Sequence, residues 1–170
     1  MHECSTNLSV KGFKELKTQL RKQKKRIVHD AEVLARELAK KGVQIAKIKI
    51  VDLDAVFTGE LLASIKKEKV SADNNGAVFI VKADSEHAIY VEMGTGIIGR
   101  DNPYPGELPA IYMSGNTIHQ TEDGRYGWFY QDKDGKWRFT EGMPSRPFMF
   151  ETANELREIV EETAREVFEK

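Results

Sequence analysis

The residues whose types and spacing bear on chemistry are few. Gly94-Thr95-Gly96-Ile97-Ile98-Gly99 fits the G-x-G-x-x-G spacing, which in a dinucleotide-binding fold lets a pyrophosphate approach the N-terminus of the following helix. The surroundings oppose that use. Pro103 and Pro105 work against a helix directly after Gly99, and no βαβ pattern brackets the motif. The histidines His2, His29, His87 and His119 and the single Cys4 are scattered, without C-x-x-C, H-E-x-x-H or a pair at helical ligand spacing, so zinc chemistry has no support. Ser114-Gly115 lies among loop residues with no base nearby in sequence, and there is no nucleophile elbow; a triad gathered from distant residues stays open at this level. The chain is read as a non-enzyme with no cofactor and no metal.

Arg21-Lys22-Gln23-Lys24-Lys25-Arg26 is the densest run of charge. Its cations could engage phosphates with a salt-dependent affinity. At 100° per residue they spread around a helix, and the apolar stripe has a two-turn gap from Leu20 to Ile27, so this stretch is expected to project beyond the core. A solvated face, or pairing with the acidic C-terminal helix, is favoured. A nucleic-acid-binding module using Arg21, Lys22, Lys24, Lys25 and Arg26 is the alternative. Tyr126, Trp128, Tyr130, Trp137 and Phe139 could stack on bases, but alternation in a hairpin places them more simply in a cross-strand cluster serving a core or a subunit interface.

The elements that must position these residues follow from periodicity. Phe13, Leu16, Leu20, Ile27, Ala31, Leu34 and Leu38 recur at helical steps and predict one long helix over 12–41, with Gly12 as N-cap and Gly42 as the C-terminal stop. Residues 42–56 suit a strand and a helix equally. Thr58-Gly59-Glu60 reads as a helix start, with the Thr58 hydroxyl as cap, and a short helix through Ile65 follows. Asp73-Asn74-Asn75-Gly76 predicts a hairpin over 69–81. Asp84 or Ser85 is placed to cap a helix carrying Ala88, Ile89, Val91 and Met93, ended by Gly94, although its β-branched residues also suit a strand.

Residues 97–125 hold three prolines and four glycines and predict a long, partly disordered loop, a candidate partner surface. A second hairpin over 126–140 follows, then a C-terminal helix over 146–169 with a stripe of Phe150, Ala153, Leu156, Val160, Ala164, Val167 and Phe168. The expected fold is α+β, a single domain over 1–170 in which a small antiparallel sheet is packed by the long N-terminal helix and the C-terminal helix.

Composition bounds this reading without directing it. The 170 residues, 40% of them hydrophobic, suffice for one core without metals or disulfides, and a lone cysteine cannot form an intrachain disulfide. The near balance of 26 Lys and Arg against 27 Asp and Glu hides a separation along the chain: thirteen basic and four acidic residues from Lys11 to Lys49, eight acidic and four basic from Glu141 to Lys170. No signal core or run of eighteen apolar residues is present, so no membrane partner is expected.

Three blocks then carry a resemblance. Thr58-Gly59-Glu60-Leu61-Leu62-Ala63-Ser64-Ile65 is similar to Thr-Gly-x-Leu-x-x-Ser-Ile, Tyr90-Val91-Glu92-Met93-Gly94-Thr95-Gly96 to aromatic-Val-Glu-aromatic-Gly-Thr-Gly with Met93 in place of an aromatic, and Pro144-Ser145-Arg146-Pro147-Phe148 to Pro-x-Arg-Pro-Phe. In that order they resemble the head-tail joining or tail-completion family of long-tailed bacteriophages. The stretch between the second and third blocks is longer than the family pattern.

The resemblance implies a structural virion protein at the head-tail junction or in the tail, made in the host cytoplasm. Its partners would be copies of itself in a ring and neighbouring head-completion and tail proteins, with DNA contact allowed but not required. It also implies that Thr58, Gly59, Leu61, Ser64, Tyr90, Glu92, Gly94, Thr95, Gly96, Pro144, Arg146, Pro147 and Phe148 serve structure or interfaces. Glu92 is placed to bridge to a loop amide or to Arg146, and Pro147 fits a helix's first turn, which needs no amide proton there.

Overall fold

A computed structural model describes residues 9–56, 59–73, 76–108, 112, 118–132 and 134–169. It is a mixed α+β arrangement dominated by helix α1, Val10–Asp52. The N-cap is Ser9, whose hydroxyl accepts from the Gly12 amide at 3.0 Å, so Gly12 lies inside the first turn instead of capping it.

Gly42 does not stop the helix either. It is buried, and a Cβ there would stand 2.9 Å from Val81 Cγ2 and 3.0 Å from Leu156 Cδ1. The glycine is a point of close approach among three elements, and the segment over 43–52 is helix. The stop comes at Asp54, the one non-glycine residue with positive φ (51°) among those described. Asp54 N donates to Val51 O and Ala55 N to Ile50 O, the paired bonds that close a helix through a left-handed residue. Aspartate tolerates that conformation better than most side chains.

A short helix α2, Glu60–Ser64, leads into strand β1, Ile65–Asp73, which pairs antiparallel with β2, Gly76–Ala83, from Ile65↔Ala83 outward with an irregularity between Lys69 and Ser71. This hairpin is longer than 69–81. Helix α3 spans Ala88–Met93; its N-cap is His87, without a side-chain cap bond, in place of Asp84 or Ser85.

Within 97–125 there is more regular structure than a long loop. Helix α4 runs Gly96–Asp101, ending just ahead of the prolines that were expected to forbid it, and β3, His119–Gln120, pairs with β4, Tyr126–Gln131. Residues 109–111 and 113–117 of this segment lie outside the described residues. Strand β5, Trp137–Thr140, completes a three-stranded sheet in the order β3-β4-β5. After the short β6, Gly142–Met143, helix α5 covers Phe148–Phe168, with Pro147 as N-cap.

Helix α5 lies antiparallel to the C-terminal half of α1. Lys49 reaches Glu151 and Glu155, and Lys41 donates to Thr163 Oγ1 at 2.9 Å and pairs with Glu166. The face of α5 turned inward carries Phe148, Thr152 and Thr163, whose hydroxyls are satisfied by carbonyls one turn back. Val160 and Phe168 of the expected apolar stripe are exposed. The core gathers Ala46 and Ile50 of α1, Ala55, Leu61, Ile65, Ala88 and Phe148, so the first and third sequence blocks contribute Leu61 and Phe148 to the same core.

Candidate functional site

The second and third blocks are brought together at the junction of three helix ends. Helix α5 begins with amides that have no partner within the helix. The Glu92 carboxylate, at the end of α3 and only 6% exposed, accepts from Met149 N at 2.9 Å and Phe150 N at 3.0 Å. A carboxylate at this end also suits the helix dipole. Burial pushes the Glu92 carboxyl above its ordinary range, while the two amides pull it back.

Arg146 does not pair with Glu92. Its Nε donates to Leu53 O at 3.0 Å, satisfying a carbonyl at the end of α1, and its amide donates to Val91 O at 2.9 Å. Ser145 Oγ donates to Glu92 O at 2.6 Å, and Ser145 N to Asn102 O at 3.1 Å. The segment over 144–148 thus ties the ends of α1, α3 and α4 to the start of α5. In the first block, Ser64 Oγ donates to Leu61 O at 2.7 Å, locking the last turn of α2, and Gly59 is its N-cap with positive φ (78°). Thr58 lies outside the described residues.

The glycine motif belongs to the same junction. Gly94 has φ 77°, and a Cβ there would meet Ser145 N at 2.6 Å and Pro144 C at 3.0 Å. Bridges Thr95↔Met143 and Gly96↔Gly142 continue the contact. The space a pyrophosphate would need over these glycines is filled by backbone from 141–145. The Tyr112 hydroxyl donates to Gly94 O, and the Tyr90 ring packs between Tyr112 and Trp128, with centroids at 6.3 Å and 5.3 Å. The Thr95 hydroxyl is buried with no hydrogen-bond partner among the described residues. Among those residues no three metal-capable side chains cluster. Glu92, a deeply buried acid, is committed to α5.

The basic run sits elsewhere. Arg21, Lys22, Lys24, Lys25 and Arg26 lie on the N-terminal half of α1, all exposed, with Arg26 beside Asp30 at 3.5 Å. The pairing with the acidic helix is made by Lys41 and Lys49. Phe13, Leu20 and Ile27, assigned to the core stripe by periodicity, are 56%, 51% and 59% exposed. With Leu16, Lys17, Arg21 and Lys24, Phe13 and Leu20 line a shallow groove walled by α1 alone. The two-turn gap in the stripe was the one sign that this half would project.

The aromatic hairpin is only partly a cluster. Phe129 and Phe139 pair across the strands at 5.4 Å, and Trp128 turns to Tyr90, but Trp137 is 67% exposed and Tyr126 and Tyr130 are largely exposed. No helix of the described residues is long and apolar enough to cross a membrane.

Residues 11–94 match the family described as "Bacteriophage HK97-gp10, putative tail-component". The match takes in α1, the hairpin β1–β2 and the first two blocks up to Gly94. It is a family of structural components, consistent with the head-tail joining and tail-completion resemblance, and nothing in it favours nucleic-acid recognition. No curated protein and no solved structure matches the chain.

Proposed function

From the match of residues 11–94 to a phage tail-component family, we propose that this chain is a structural virion subunit acting in tail completion or head-tail joining, as one of several copies in a ring. That match carries the reading. The surface supports it: Phe13, Leu16 and Leu20 line one open apolar groove on α1, with Val10 and Ile27 exposed on the same half of that helix.

Its partners are copies of itself and the neighbouring head-completion and tail proteins, and it resides in the virion after assembly in the host cytoplasm. Work is done by association: repeated interfaces that close by symmetry. Deleting the gene from the phage that carries it tests the reading. Filled heads and separate tails, joined again when the protein is supplied in trans, are expected; infectious, fully joined particles without the protein would overturn it. Mixing the pure chain with its head-completion and tail neighbours tests the ring, which fails if the chain stays monomeric throughout.

A further inference from the structure

We propose that the projecting half of α1, Phe13 to Ile27, is the docking site for an acidic amphipathic helix of a different protein, which lays apolar side chains into the α1 groove and carboxylates along one edge of it. This rests on the reading of the chain as an assembly subunit and names the chemistry of one neighbour. At 100° per residue, Phe13, Leu16, Leu20 and Ile27 fall within about 60° of one another. Lys24, Lys17 and Arg21 occupy about the next 80° on one side, whereas the other side carries Gln19, Gln23 and an Asp30 already beside Arg26. Stripe and cations are neighbours in space, since Phe13, Leu16 and Leu20 line one groove with Lys17, Arg21 and Lys24.

Charge decides what kind of protein fits. From Lys11 to Arg26 there are eight Lys and Arg against Glu15 alone, and Lys17, Arg21 and Lys24 make no ion pair among the described residues. Two such arms laid side by side repel. Among the described residues, the exposed apolar rows on other faces of the chain also carry cations. On α5, Val160, Ala164 and Phe168 share their face with Arg157, and Glu161 is paired with Arg165. On β1–β2, Ile80 stands opposite Glu68, which is held by Lys82. At the end of α1, Ile48 and Val51 have Lys47 on one side and Asp52 on the other, and on β4–β5 Arg125 lies over the Phe139 ring. A second copy would therefore bring cations to a cationic edge, and the carboxylates must come from another protein.

A duplex would satisfy Lys17, Arg21 and Lys24 but leave Phe13, Leu20 and Ile27 in water. An anionic lipid surface would meet both edges of the stripe alike, although only one is cationic. Lys17, Arg21 and Lys24 are spaced at i, i+4 and i+7, so a helix with carboxylates at the same spacing beside its own apolar row pairs with all three along the groove.

Fluorescence anisotropy of labelled synthetic helices titrated with the full chain tests it. The probe copies residues 10–27 with Lys17→Glu, Arg21→Glu and Lys24→Glu and with the remaining Lys and Arg exchanged for Gln; its control adds Phe13→Ser, Leu16→Ser, Leu20→Ser and Ile27→Ser. Expected are binding of the probe at least about ten-fold tighter than the control, weaker at high salt, and at least about ten-fold weaker again in full chains carrying Lys17→Glu/Arg21→Glu/Lys24→Glu or Phe13→Ser/Leu20→Ser. The side chains substituted in the full chain are exposed, and unchanged far-ultraviolet circular dichroism checks that each variant is folded. A probe bound no better than its control, or bound equally by either variant, would overturn the docking. So would a short DNA duplex or phosphatidylglycerol vesicles held more tightly than the probe and released by both variants, or wild-type self-association abolished by the same substitutions, which would give the arm to nucleic acid, lipid or a second copy. Gene deletion decides the assembly reading separately, so a chain needed for joined particles that ignores the probe loses only this docking.

Discussion

The Glu92 carboxylate stands 2.9 Å from the Met149 amide, so the side chain that finishes α3 also starts α5. Removing it leaves two buried amides without acceptors. Glu92→Ala should cost about 2 kcal/mol of stability, read from urea unfolding at neutral pH. A loss under about 0.5 kcal/mol would mean that water replaces the carboxylate at no penalty.

The same group sets a pH dependence. Because burial raises its pKa in the folded chain, the folded state holds the proton to higher pH than the unfolded one. Its contribution to stability is therefore greatest at low pH and is lost as pH rises from the ordinary glutamate range through the raised value. The wild type should lose stability relative to Glu92→Gln over that window. A stability difference that is flat, or that grows with pH, contradicts the assignment.

At the end of α1, Asp54 occupies a left-handed position with its charge at the negative end of the helix dipole. Asp54→Gly should raise stability by about 0.5 to 1 kcal/mol, seen as a higher melting temperature. A fall on this substitution would show that the Asp54 side chain makes a compensating contact.

Gly42 is the opposite case. Alanine there gains about 1 kcal/mol of helix propensity against contacts near 3 Å with Val81 and Leu156, so Gly42→Ala should be close to neutral. Gly42→Leu must force α1 away from β2 and α5 and should cost about 2 kcal/mol or more. Equal stability of the two variants would refute a tight three-way contact.

Trp137 is exposed on the three-stranded sheet. Trp137→Ser should leave the melting temperature within about 2 °C, since surface changes typically move stability by less than about 0.5 kcal/mol. If the aromatic hairpin is an assembly surface, the variant should enter tails poorly despite that stability. Normal incorporation would remove the hairpin from the list of interfaces.

The α+β class and the two long helices were legible because their apolar residues recur at helical steps over many turns. The end of α1 was not, because a glycine reads locally as a stop and only the nearness of Val81 and Leu156 reveals why one is placed at 42. Asp54 carries too weak a local preference to be singled out. In the candidate site, Glu92 stood out through its motif, yet its partners lie 57 and 58 residues away, and no local pattern distinguishes an α5 amide from the Arg146 side chain. Helix α4 was hidden by the prolines that follow it. The exposure of Phe13, Leu20 and Ile27 was masked by a periodicity that marks a face but not what covers it.

The unbroken course of α1 has a mechanical side. From Gly42, where α1 leaves α5, to Phe13 is about 43 Å of continuous helix at 1.5 Å per residue, which makes the projecting half a lever arm. A rotation of about 5° at that pivot would sweep the far end through about 4 Å, somewhat less than one helical turn. Any change in how Gly42 seats between Val81 and Leu156 would thereby be amplified at the far end of the arm.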